Sequence, residues 1–193
     1  MRFSRSRRGL AATLGAAAVL LGACTSMPVT SMVKLARTDF ATIDPAVLRV
    51  AVRLPAGVRP RPGSVTLKLT VTVGAAAPVV SAFVLADLAD PAELASLRGE
   101  VTKGAAVWAY RLEPADVARV TALRSELMAR KGRGERGSLS LGVGAEACRT
   151  AAAPERVLLT TYLKTEAGGD FFPLVRDVDL RDVPGAGELP SCG

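Results

Sequence analysis

Residues 65–73, Val65-Thr66-Leu67-Lys68-Leu69-Thr70-Val71-Thr72-Val73, decide the fold class. Val65, Leu67, Leu69, Val71 and Val73 fall on one face, and Thr66, Lys68, Thr70 and Thr72 on the other. A period of two is that of a half-buried strand, and the many β-branched side chains suit a pleated surface. The same alternation occurs at 47–54, where Leu48, Val50, Val52 and Leu54 oppose Arg49 and Arg53. In 105–112, Trp108, Tyr110 and Leu112 share a side. Further strands are expected at 138–143, 157–164 and about 171–178, with Gly168-Gly169-Asp170 turning the last two into a hairpin. The stretch 79–85 is apolar on both faces, which predicts a central strand. A weaker alternation at 29–35 predicts an additional edge strand.

Two helices interrupt this pattern. Asp90-Pro91-Ala92-Glu93 supplies an N-cap, a proline at the first helical position and an acid at N3, so a short helix is expected up to Gly99. Residues 114–131 form the longer one, with Val117, Val120, Leu123 and Leu127 at near-helical spacing and Gly132 as the expected stop. That apolar stripe is expected to pack onto the sheets. The fold expected is mainly β or α+β: an antiparallel, β-sandwich-like domain of about seven strands with one long inserted helix. No internal repeat interrupts it.

Composition narrows the chemistry. At 193 residues one compact domain is expected, and with only 4% aromatic residues its core must be mostly aliphatic. There is no histidine. That removes the commonest general base, the Ser-His-Asp and Cys-His arrangements, and all His-ligated metal sites. Ser138 and Ser140 have no base partner in the sequence pattern, and the glycines of 132–137 follow a helix instead of opening one, so they do not form a phosphate-binding loop. No catalytic residue, cofactor or metal is expected.

The first 24 residues have a different character. Residues 1–8 carry Arg2, Arg5, Arg7 and Arg8 and no acid, and 10–23 is a charge-free apolar stretch. It is shorter than the roughly 20 residues a membrane-crossing helix needs, and it ends in Leu21-Gly22-Ala23-Cys24. This segment resembles the signal and lipobox of bacterial lipoproteins. The resemblance implies a diacylglycerol on the Cys24 sulfur and cleavage before that residue. The expected organisation is then a signal peptide at 1–23, a lipidated tether at 24–30 and one β-rich domain at 31–193. It also implies a membrane-anchored envelope location, and Thr25 in place of Asp implies the outer membrane, facing the periplasm. Ser6-Arg7-Arg8-Gly9-Leu10 resembles a twin-arginine export signal, from which Ala11 and Ala12 depart, so twin-arginine and general export both stay open. Loss of the four arginines would lower the formal charge from +7 to +3, too mild for a nucleic-acid partner.

With Cys24 committed to lipid, Cys148 and Cys192 remain, and in an oxidising compartment they are expected to pair, pinning the Pro/Gly-rich tail after Pro184. Arg49, Arg53, Arg59, Arg61 and Lys68 form a candidate basic face for anionic lipid headgroups or an acidic envelope polymer. Arg130, Lys131, Arg133 and Arg136 form a second cluster. Asp177 and Asp179 are the nearest approach to a cation site, but the interleaved Arg176 and Arg181 argue for a self-paired strand edge. The expected function is a non-catalytic, lipid-anchored binding or assembly-accessory domain for an envelope protein or anionic lipid. Carriage of a lipid or other apolar small molecule is the alternative, and a carboxylate hydrolase stands third.

Overall fold

The computed structural model describes residues 43–152, 154–182 and 188–192. The expected signal peptide, Cys24, the tether and the 29–35 strand lie outside the described residues. Among those described, ten strands form three antiparallel sheets with one α-helix beside them, so the chain is mainly β with an inserted helix.

The strands are β1 (Arg49–Pro55), β2 (Val58–Pro60), β3 (Thr66–Val73), β4 (Val79–Val84), β5 (Ala86–Leu88), β6 (Ala105–Arg111), β7 (Gly137–Gly144), β8 (Ala147–Arg149), β9 (Leu158–Lys164) and β10 (Phe172–Asp179). The helix, α1, is Pro114–Gly132. The largest sheet has the order β10-β9-β1-β6-β5, and a three-stranded sheet has β4-β3-β7. A small β2-β8 pair makes the third.

The alternation read from the sequence sets the two main faces. Register places Val50 opposite Tyr110 and Leu163, and Val52 opposite Trp108 and Thr161. In the other sheet Leu67 lies between Phe83 and Val143, and Leu69 between Ser81 and Leu141. Val50, Val52 and Leu54 of the large sheet and Leu67, Leu69 and Phe83 of the small one belong to a single buried cluster. Tyr110 belongs to the same core, and Trp108 packs against it, as expected of aromatic anchors. Burial together with the Asp87 carboxylate opposite pushes the Tyr110 hydroxyl up to about 12, burial being the larger cause.

The outer face of the large sheet has its own cover. The segment expected to be a helix from Asp90 forms turns and then a 3-10 helix, Ala95–Glu100. Asp90 does cap, accepting the Ala92 N–H at 2.9 Å. A run this short gains too few intrahelical bonds to repay nucleation. It is held instead by Leu97, which is buried against Ala51, Ala109 and Tyr162.

Two further expectations need correction. The doubly apolar 79–85 stretch is not a central strand. β4 forms an edge, with Val79, Val80 and Val84 exposed, and at Leu85 the chain leaves one sheet to begin β5 on the other. Its second apolar face meets solvent. The helix also runs through Gly132. It ends there, one residue past the expected 114–131, with Arg133 as the cap and Gly134, not Gly132, in the left-handed conformation (φ +81°).

The Cys148–Cys192 disulfide is formed, with Cα atoms 5.1 Å apart. It fastens the C-terminal segment beside β8, where Arg149 N–H donates to the Pro190 carbonyl and Cys192 N–H to that of Arg149.

Candidate functional site

The helix is the part of the fold that does not close. Its stripe (Val120, Leu123 and Leu127) faces the inner side of the three-stranded sheet, yet no residue of α1 is fully buried. Between the two lies a groove of about 730 Å³. Such a volume is within the ~300–1,000 Å³ typical of small-molecule sites. Leu67, Leu69 and Val71 of β3, with Leu139 and Leu141 of β7, form its sheet wall. Ile43, Pro45 and Leu48 close the inner end. A short 3-10 helix, Pro45–Val47, holds these last residues in place, with Asp44 accepting the Ala46 N–H at 2.9 Å. Arg124 donates to the Ile43 carbonyl and ties α1 to the same end.

The groove has a direction. Leu67 and Leu48 are buried at one end, whereas Met128 and Leu139 are exposed, at 43% and 36%, at the other. Beyond them the chain brings Arg130, Lys131 and Arg136 to the rim, together with Glu135. Arg130 pairs with Glu126 at 2.7 Å and Glu135 at 3.6 Å, and Arg133 with Glu135 at 2.9 Å. Lys131 and Arg136 form no ion pair among the described residues. Gly137, where β7 starts, allows the rim its shape: a Cβ there would meet the Thr72 carbonyl oxygen at 2.5 Å.

The basic residues singled out near the N-terminal half do not form one face. Arg49 and Arg53 project from the outer side of the large sheet, and Lys68 from the outer side of the small one. Arg49 makes a two-pronged pair with Glu93, at 2.7 and 3.2 Å. Arg53 lies 3.6 Å from Asp177 and 4.0 Å from Glu100. Arg61 is matched by Glu146 at 2.8 Å, which leaves Arg59 and Lys68 as separate exposed cations. Strand alternation and the core between the sheets separate them. The cluster with the clearer setting is the one that follows α1.

The acidic segment is self-satisfied. A break in register within β10 sends Asp177, at φ +55°, toward Thr160 and Arg53. Asp179 accepts from the N–H groups of Arg181 and Val157 and pairs with Arg156. These contacts, the Arg181 N–H first, hold the Asp179 carboxyl below its usual range. Among the described residues, no group of three His, Cys, Asp or Glu could hold a metal ion. Nearby, the buried Tyr162 hydroxyl has no hydrogen-bond partner among the described residues. Its pKa is raised, first by burial and then by Glu100.

Sequence reasoning identified the stripe but not the groove. The available signal was that the stripe ends at Leu127, next to the basic run at Arg130 and Lys131. Among the described residues no helix is long and apolar enough to cross a membrane. No protein-family model, curated protein or solved structure matches the chain.

Proposed function

We propose that this chain is a non-catalytic, lipid-anchored domain of the cell envelope that binds the apolar chain of a small molecule between α1 and the three-stranded sheet. One observation carries the reading: an apolar groove of about 730 Å³, lined from Leu48 to Met128 and open at one end. Empty, such a surface leaves the helix stripe facing water, and an acyl-like occupant would remove it from solvent. The resemblance at Leu21-Gly22-Ala23-Cys24 supports an anchor on Cys24, and Thr25 in place of Asp supports the outer membrane, facing the periplasm.

Native mass spectrometry of the full-length protein extracted from membranes tests the groove. A co-purifying ligand is expected for wild type and should be lost in Leu127→Trp, whose larger side chain narrows the groove. An unliganded wild type, or a ligand retained in Leu127→Trp, would refute it. The anchor has its own test: Cys24→Ser should lack the added mass of the lipid and retain an uncleaved leader.

A second reading has its own support. Val79, Val80 and Val84 are 63%, 59% and 52% exposed on β4, an apolar strand whose outer edge has no partner among the described residues and is suited to docking an envelope protein. Val80→Lys should abolish such a complex without disturbing the groove.

A further inference from the structure

The groove is mostly apolar along its walls; Arg124 is tied to the Ile43 carbonyl at the inner end, and the other lining cations gather at the open end. Register makes this an axis: Leu69 lies opposite Leu141, Val71 opposite Leu139, and Val73 opposite Gly137, with Arg136 next in the chain. Along α1 the order is parallel, from Val120 through Leu123 and Leu127 to Lys131. Both walls therefore run from aliphatic to cationic toward the same mouth. Among the lining residues, Arg124, Arg130, Lys131 and Arg136 face a single acid, Glu135. Arg124 is held by a carbonyl and Arg130 by two carboxylates, so Lys131 and Arg136 are the cations left without an ion pair among the described residues.

We propose that the groove takes a single-chain amphiphile with an anionic head, its tail lying along Leu69, Leu123 and Leu127 and its head held by Lys131 and Arg136. This rests on the reading of the groove as a ligand site. Charge complementarity selects the occupant. A cationic head would be repelled at the mouth, and an uncharged one would gain less from the two unpaired cations than an anionic one. The apolar walls require a tail, so a free inorganic anion is insufficient.

The test is displacement of the neutral apolar dye N-phenyl-1-naphthylamine from the full chain carrying Cys24→Ser, purified without detergent. Competitors are dodecanoate, dodecyltrimethylammonium and dodecyl maltoside, which share a tail and differ in head, each below its micellar concentration. Wild type should bind the dye and prefer dodecanoate over dodecyltrimethylammonium by at least roughly fivefold, ~1 kcal/mol at 1.4 kcal/mol per decade. Lys131→Gln/Arg136→Gln should lose that preference, and Arg59→Gln/Lys68→Gln should keep it. If the dye binds and is lost in Leu127→Trp, but the two charged competitors act equally, the headgroup assignment is overturned and the groove stands. A preference lost equally with Arg59→Gln/Lys68→Gln overturns it too, since overall charge would then be the cause. If wild type takes up no dye, or Leu127→Trp binds it equally, the ligand-site reading falls as well. In the first of those cases the groove would belong to another occupant, such as the chain's own residues before Ile43.

Discussion

Replacing both Cys148 and Cys192 by alanine should cost this protein about 4 kcal/mol, on the chain-entropy view of a cross-link whose ends are 44 residues apart. The figure is large against the ~5–15 kcal/mol by which domains are usually stable. The remaining contacts cannot replace the bond. The C-terminal segment keeps two backbone hydrogen bonds to Arg149, at 2.8 and 2.9 Å, and a partial apolar contact through Leu189. Such hydrogen bonds contribute ~1 kcal/mol each, while ordering each residue costs ~1–2 kcal/mol. Cys148 is only 2% exposed, so the lost sulfur adds a small packing penalty, whereas serine would bury an extra hydroxyl. Urea unfolding followed by Trp108 fluorescence should show the midpoint falling by about 2 M at a slope near 2 kcal/mol/M. Reductant should shift wild type by the same amount and leave the variant unchanged. A midpoint shift under about 0.5 M at equal slope, or a reductant effect that persists in the variant, would refute the argument.

Tyr110 predicts an alkaline weakness. Its pKa in the fold is about 12 against 10 for the free side chain, so its contribution is intact below pH 10 and is lost as pH rises toward 12. The slope is at most ~1.4 kcal/mol per pH unit. Urea midpoints at pH 8, 10 and 11 should therefore fall less steeply for Tyr110→Phe than for wild type. Gly137→Ala should destabilise by ~1–3 kcal/mol, because its methyl meets the backbone of Thr72 and not a side chain that could turn away; thermal melts of the two proteins measure it. Leu67→Ala, at a site that is 0% exposed between the sheets, should cost ~2–5 kcal/mol in the same melts.

Strand periodicity was legible because its cause is local. Leu67, Leu69 and Val71 must share a face whatever they pack against, and the longer strands and α1 appear close to where their periods put them. β2, β5 and β8 were invisible, as three residues cannot display a period and exist only through their partners. The short helix failed for a related reason. Asp90 is a sound cap, but Leu97 and the Arg49–Glu93 pair draw the segment across the sheet. The basic face failed because equal charge in sequence says nothing about which side of a sandwich each strand presents.

The amino-acid order alone pointed to the fold class, to the Cys148–Cys192 pair once Cys24 was assigned to lipid, and to the apolar faces of the longer strands, since these follow from backbone periodicity and the scarcity of thiols. Only the tertiary structure decided that 79–85 is an edge, that Arg49 and Arg53 are already paired, and that α1 stands off its sheet far enough to leave a groove. Those outcomes depend on distances between segments remote in the chain, and side-chain pattern within one segment carries no information about such distances.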